Sequence, residues 1–218
     1  MTATEIFESV TNGGSSDFAL LVQILDRHGK WCLVGGLAVN CYVTPVFTTD
    51  ADIVVTSSEL SSIQAELVAS GFEVKEHEHS VKAQMKRSDL RIQFTVDQRY
   101  QEFLAGTEVM KVLGEQVSVA SLENIVRGKV WAWSDPKQRL SKRKKDELDL
   151  IRIAEKYPEV RRLMPPEITN QWKRVESLCS ANFGVRGLVT ALDLTWERRK
   201  RRQVAALHIQ KVRLLWQP

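Results

Sequence analysis

The sequence predicts an α/β chain of the α+β kind: a mixed sheet flanked by helices, with a helical C-terminal extension. Three observations predict it. Two short apolar runs, WCLV (31–34) and ADIVV (51–55), read as buried strands, with a Gly-Gly break and a short helical segment between them. Residues 72–120 contain short segments that alternate apolar and polar, separated by turn residues. Other segments carry apolar residues three and four apart, the spacing of one helix face.

Residues 16–28 form the first predicted helix, with Ser16 or Asp17 as its cap, Leu20, Leu21, Ile24 and Leu25 as its apolar stripe, and Gly29 at its end. After WCLV, Gly35-Gly36 turns the chain, LAVNCYV (37–43) reads as a short helix, and Pro45 closes it. A capped helix over 57–70 follows ADIVV and ends at Gly71. FEVKE, SVKAQMK and LRIQFTV are then strands, the last two joined at Ser88-Asp89, and residues 99–106 form a short helix. VMKVLG and EQVSVAS pair through a turn near Gly114, and Ser121 caps a helix over 121–133. Residues 134–145 read as a polar basic loop, and 146–157 as a helix with Leu148, Ile151 and Ile153/Ala154 inward. Pro158, Pro165 and Pro166 suggest a boundary, dividing the chain into a domain over 1–165 and an extension over 166–218 with helices at about 167–180 and 188–215.

Charge follows the same division. Residues 166–218 hold ten Lys/Arg and four acids, a balance of +6, which leaves −2 for the other 165 residues. The basic character therefore belongs to the extension, so the overall charge says little about what the first domain binds. Three cysteines without CxxC spacing argue against a disulfide framework or a zinc site. The start, MTATEIFESV, lacks the pattern of a signal peptide, and no apolar run reaches the roughly 18 residues of a membrane span. A cytoplasmic protein without a membrane partner is the expectation.

The strongest chemical signal is the order strand, Gly-Gly, helix, strand with Asp-x-Asp. Glycines let the backbone approach a triphosphate, and the following helix offers free N–H groups to it. Asp50 and Asp52 are two apart on a strand, so both side chains point to one face. Such a pair suits Mg²⁺, a hard cation that takes oxygen ligands. Thr48 and Thr49 precede the pair and either bond phosphate or fill the strand entry.

The run GGLAVNCYVTPVFTTDADIVV resembles the active-site core of the polymerase-β-like nucleotidyltransferase superfamily, and within it the AbiEii-type group of toxin–antitoxin and abortive-infection systems. ASLENIVRGKVWA and KKDELDLIRI extend the resemblance, which covers roughly residues 15–160. It implies a nucleotidyltransferase fold and Mg²⁺-dependent transfer from an NTP to an acceptor, RNA (tRNA in particular) or protein, with an antitoxin as a further partner. It implies Asp50 and Asp52 as metal ligands and catalytic residues, and Gly35, Gly36, Thr49, Lys129 and Lys145 as nucleotide-binding residues. Asp146 and Asp149 carry the group's last motif and share a helix side, where pairing with Lys129 or Lys145 gives them a scaffold role.

Transferases of this kind usually carry a third acid on a later strand, and the matching position here holds Gln93. Asp97 shares its parity but lies four residues on, roughly 13 Å along a strand. Three readings stay open: Asp97 completes the catalytic set from the strand end, two carboxylates suffice, or the fold binds nucleotide or RNA with little or no turnover. His77-Glu78-His79 reads as an exposed polar turn, and Cys32 and Cys41 as small core residues. Two basic runs are candidate phosphate contacts, one over 137–145 and one over 197–203 in the extension.

Overall fold

The computed structural model describes residues 7–8, 11–78 and 80–172. The chain divides into two compact units, Met1–Ile168 and Thr169–Pro218. The expected helix at about 167–180 is described as far as residue 172, with 166–172 helical; the rest of it, the helix at 188–215, the run 197–203 and Cys179 lie outside the described residues.

Seven strands form one mixed sheet: β1 (Trp31–Val34), β2 (Asp50–Val55), β3 (Phe72–His77), β4 (Ser80–Met85), β5 (Arg91–Thr95), β6 (Thr107–Val112) and β7 (Glu115–Ala120), in the order β3-β4-β5-β2-β1-β7-β6. β1 and β2 are antiparallel, while β2 pairs with β5, and β1 with β7, in parallel. β1 is buried throughout, as its unbroken apolar run implies for a central strand. The β6–β7 turn puts Leu113 and Gly114 at φ 51° and 103°. Positive φ at both central positions is the tight-hairpin geometry that favours glycine.

Among the described residues, the helices that flank the sheet are α1 (Gly14–Leu25), α2 (Gly35–Tyr42), α3 (Leu60–Ala69), α4 (Leu122–Ser134) and α5 (Leu140–Lys156). α1 packs with α3, and α2, α4 and α5 pack with one another. A 3₁₀ turn precedes α3, another spans Gln98–Ala105, and a third follows α5 at Pro158–Leu163.

Three local expectations are corrected. The cap of α1 is neither Ser16 nor Asp17: Glu8 accepts from the N–H groups of Ser15 (2.8 Å) and Ser16 (3.3 Å). A carboxylate there satisfies free donors and complements the positive end of the helix. The polar loop is short, because α5 begins at Leu140 and Lys142 to Lys145 are helical. Lys and Arg are good helix formers, and no Gly or Pro interrupts 140–156.

The inward face of α5 keeps Ile153 and Ala154 of the expected set but not Leu148. Its buried residues are Asp146, Asp149, Leu150, Ile153 and Ala154, a helical i, i+3, i+4, i+7, i+8 set, and Leu148 is 52% exposed. Leu150→Ala should therefore cost about 2–5 kcal/mol, and Leu148→Ala less than about 0.5 kcal/mol. Urea unfolding of the two variants checks this, and equal losses would contradict the register of α5.

Candidate active site

β2 delivers the two aspartates. Asp50 and Asp52 are half-buried on one face, while Ala51 and Ile53 are fully buried on the other. β1 runs beside β2 with Val34 opposite Asp52, and the chain leaves β1 directly into α2 at Gly35. Gly35 has φ +69°, and a Cβ on it would lie 2.0 Å from Asp52 Oδ2. Only glycine fits so close to that carboxylate in that conformation.

The pair opens into a cleft of about 800 Å³. Gly35, Gly36 and Thr48 line it at the start of α2; Lys82, Arg91 and Gln93 line it from the sheet; Tyr100 and Phe103 close another side. Arg139, Ser141, Lys142 and Lys145 reach it from the first turns of α5. Among the described residues, seven basic ones line the cleft against four acidic ones. The cations on α5 stand at the helix end whose dipole disfavours them, an arrangement that an anion between them would relieve.

Burial pushes the Asp52 carboxyl above the usual carboxylate range, and neighbouring Asp50 adds to this; Lys129, Lys142 and Lys145 pull the other way. Lys129 is itself buried beside the cleft. Its Nζ lies 2.7 Å from Asp146 Oδ1 and 2.7 Å from Asp149 Oδ2. Gln138 donates to the other oxygen of Asp146 (2.7 Å), and Arg152 Nη1 to Asp149 Oδ1 (2.9 Å). The Lys-Asp-x-x-Asp helix thus clamps α5 to α4, with Lys129 as the shared cation. Tyr100 donates to the Gly128 carbonyl (3.5 Å), and its own pKa is pushed up to about 12, mainly by burial. Cys32 is likewise pushed up to about 12 and Cys41 to about 11 by burial, which keeps both thiols protonated and unreactive.

Of the sequence-predicted site residues, Gly35, Gly36, Asp50, Asp52, Lys129 and Lys145 come together around the cleft. Thr49 does not line it; its Oγ1 accepts from Arg91 Nη2 (3.0 Å). Asp97 does not join the aspartate pair. It caps the 3₁₀ turn at Gln98–Ala105, accepting from the Arg99 N–H (3.0 Å), and is ion-paired with the Arg99 side chain (2.6 Å). Gln93 stands directly opposite Asp52 on β5, and Arg91 opposite Asp50. Among the described residues, no cluster of three or more His, Cys, Asp or Glu is arranged to hold a metal ion. His77 ends β3 and is exposed, and His79 lies outside the described residues. Arg91, Lys82 and Tyr100 escaped the sequence reading. The parity that grouped positions 93, 95 and 97 extends back to 91 and marks Arg91 as facing the aspartates.

Neither a protein-family model nor a curated protein matches the sequence. Solved structures do. An antigenic nucleotidyltransferase-like protein from Paracoccidioides brasiliensis superposes with a TM-score of 0.51 at 19% identity, over 77% of this chain and 91% of that one. This chain has a nucleotidyltransferase fold. The antibiotic-resistance factor ANT(2'')-Ia in complex with adenylyl-2''-tobramycin gives a TM-score of 0.48 at 15% identity, covering 72% of this chain and 98% of that one. A lincosamide antibiotic adenylyltransferase, lincomycin-bound, gives 0.44 at 11% identity, covering 62% and 94%. In the nucleotidyltransferase fold of this chain, the Gly-Gly turn and the aspartate pair meet because β1 and β2 are antiparallel neighbours in register. No helix among the described residues is long and apolar enough to cross a membrane.

Proposed function

We propose that the chain transfers a nucleoside monophosphate from an NTP to an acceptor, with release of pyrophosphate. The observation that carries this reading is the Asp50–Asp52 pair beside the Gly35-Gly36 turn in a cleft with a basic majority. The donor set fits one hard cation: two carboxylates on one strand face, with the amide of Gln93 opposite Asp52. Mg²⁺, when bound, supplies charge neutralisation to the triphosphate and to the attacking oxygen. Gly35 and Gly36 admit the phosphates close to the backbone, and Arg139, Lys142 and Lys145 hold their charge. Lys129 acts through Asp146 and Asp149, fixing α5 and its cations at the cleft. Asp97 has a capping role in this reading, and two carboxylates form the catalytic set.

By resemblance to the AbiEii-type group, the acceptor is RNA, tRNA in particular, or a protein side chain. The setting is then a cytoplasmic toxin–antitoxin-like system with an antitoxin partner, and residues 166–218 are its basic C-terminal extension. Incubation with α-labelled NTP and total RNA or protein should leave label on the acceptor. Asp50→Asn and Asp52→Asn should each reduce labelling by about a hundredfold or more, since each removes a charge needed at the reacting phosphate.

The raised pKa of Asp52 sets the direction of a second readout. Below the unfolded value of roughly 3.9 both states are protonated. As pH rises from there through the folded value, the folded state loses stability relative to the unfolded one. At neutral pH the Asp52 charge is therefore a cost to folding, and Asp52→Asn should raise the Tm. Undiminished labelling by a variant that combines Asp50→Asn with Asp52→Asn would exclude this site.

One observation favours a second reading, a module that binds nucleotide or RNA without chemistry: Arg91 and Gln93 stand opposite the two aspartates, and among the described residues no third acid joins them. That reading predicts NTP binding with no pyrophosphate release at any metal concentration, and measurable release above a metal-free control would sink it.

A further inference from the structure

The charge opposite the aspartate pair is positive. Arg91 Nε lies 2.7 Å from Asp50 Oδ1, and Arg91 Nη2 donates to Thr49 Oγ1 at 3.0 Å. The backbone holds this placement: Arg91 is the register partner of Asp50, and its N–H donates to the Thr49 carbonyl (2.9 Å). The guanidinium thus occupies space beside the first carboxylate as a stand-in cation. It is also accessible to a ligand, with its side chain 61% exposed at the cleft. Its donor fork fits phosphate as well as it fits carboxylate.

We propose that Arg91 is a latch on the metal-binding carboxylates. Closed on Asp50 and Thr49, it neutralises the charge that a cation needs and weakens metal binding to the unliganded protein. An incoming triphosphate offers the guanidinium a stronger partner, draws it off Asp50 and so exposes the carboxylate to the cation. Nucleotide and metal then favour each other's binding through one side chain, and the coupling is reciprocal. Gln93, neutral and opposite Asp52, leaves the second carboxylate unlatched, so the control acts on Asp50 alone. This inference rests on the reading of Asp50 and Asp52 as the cation site.

The test uses the full chain and Mn²⁺ as the probe, titrated calorimetrically without nucleotide. Arg91→Gln should bind Mn²⁺ about three- to tenfold more tightly than the natural chain, in proportion to losing one partly exposed ion pair and its positive charge. Adding Asp50→Asn should abolish that gain. In a second arm, ATP with EDTA present should bind Arg91→Gln about three- to tenfold more weakly, because the phosphates lose their partner. Equal or weaker Mn²⁺ binding by Arg91→Gln, with Asp50→Asn still lowering affinity in the natural background, overturns the latch and leaves the cation site standing. ATP affinity unchanged by Arg91→Gln overturns the transfer of the guanidinium to phosphate. Mn²⁺ binding that is absent, or indifferent to both Asp50→Asn and Asp52→Asn, overturns the cation site itself and the latch with it.

Discussion

Lys129→Met should destabilise the protein by about 3–5 kcal/mol, the cost of leaving buried charge without its counter-ion. Lys129 lies 2.7 Å from each of two buried carboxylates, Asp146 and Asp149, on the facing helix. Gln138 and Arg152 still reach those carboxylates in the variant, but Gln138 brings no charge. A loss of that size lowers the Tm of a chain this long by roughly 6–20 °C. Replacing the whole set, Lys129→Met with Asp146→Leu and Asp149→Leu, should recover part of the loss, because neither carboxylate is then left buried without Lys129, while Arg152 loses Asp149 but keeps the Thr44 carbonyl.

The pH dependence has a definite sign. Burial works to lower the Lys129 pKa, but Asp149 and Asp146 together outweigh it and the net shift is upward. With the folded value above the unfolded one, the stabilisation is complete below roughly pH 10.4. It is lost as pH rises through the folded value. Thermal unfolding of both variants from neutral to strongly alkaline pH checks the whole argument. A single variant within about 1 kcal/mol of the natural chain, or a triple variant worse than the single, would refute it. The same clamp positions Arg139, Lys142 and Lys145 at the cleft, so Lys129→Met should also weaken nucleotide binding.

Much of this architecture was legible in the residues, and the exceptions share a cause. WCLV and ADIVV formed adjacent central strands because short, mostly apolar runs are buried in the middle of a sheet. The aspartate pair was legible because strand parity is a local rule. The buried face of α5 was not, because two of its inward residues are Asp146 and Asp149. Apolar periodicity cannot register a carboxylate that is buried only because Lys129, seventeen residues or more earlier, meets it. Arg91 was missed for a related reason: its contact with Asp50 depends on β5 pairing with β2 across about forty residues of chain. Glu8 capped α1 from seven residues upstream, beyond the reach of a local capping pattern. Asp97, chosen by parity, was taken up by its neighbour Arg99 because the strand ends at Thr95 and the chain turns.

Gly35→Ala should remove activity more completely than any other substitution of similar size. The added Cβ would lie 2.0 Å from Asp52 Oδ2, 2.7 Å from its Cγ and 2.8 Å from its Cβ. Turning the Asp52 side chain relieves the first two contacts but not the third, so β1 and β2 must part where Val34 faces Asp52. The φ of +69° adds strain for any residue with a Cβ. Together these should cost about 2–4 kcal/mol. A displacement of about 1 Å at a reacting carboxylate is worth roughly a hundredfold in rate, so labelled-NTP transfer should fall by at least that much. Gly36 supplies the control. A Cβ there meets Thr48 Oγ1 at 3.4 Å, and the position lies inside α2 with ordinary φ. Gly36→Ala should leave stability unchanged or raise it by about 0.5–1 kcal/mol, since alanine favours the helix. Any loss of its activity would then come from crowding a bound phosphate, and would appear as weaker NTP binding in a fully folded protein. Gly35→Ala with the Tm and transfer rate of the natural chain would mean that Asp52 does not stand against the Gly35 backbone, and the proposed geometry of the site would fall with it.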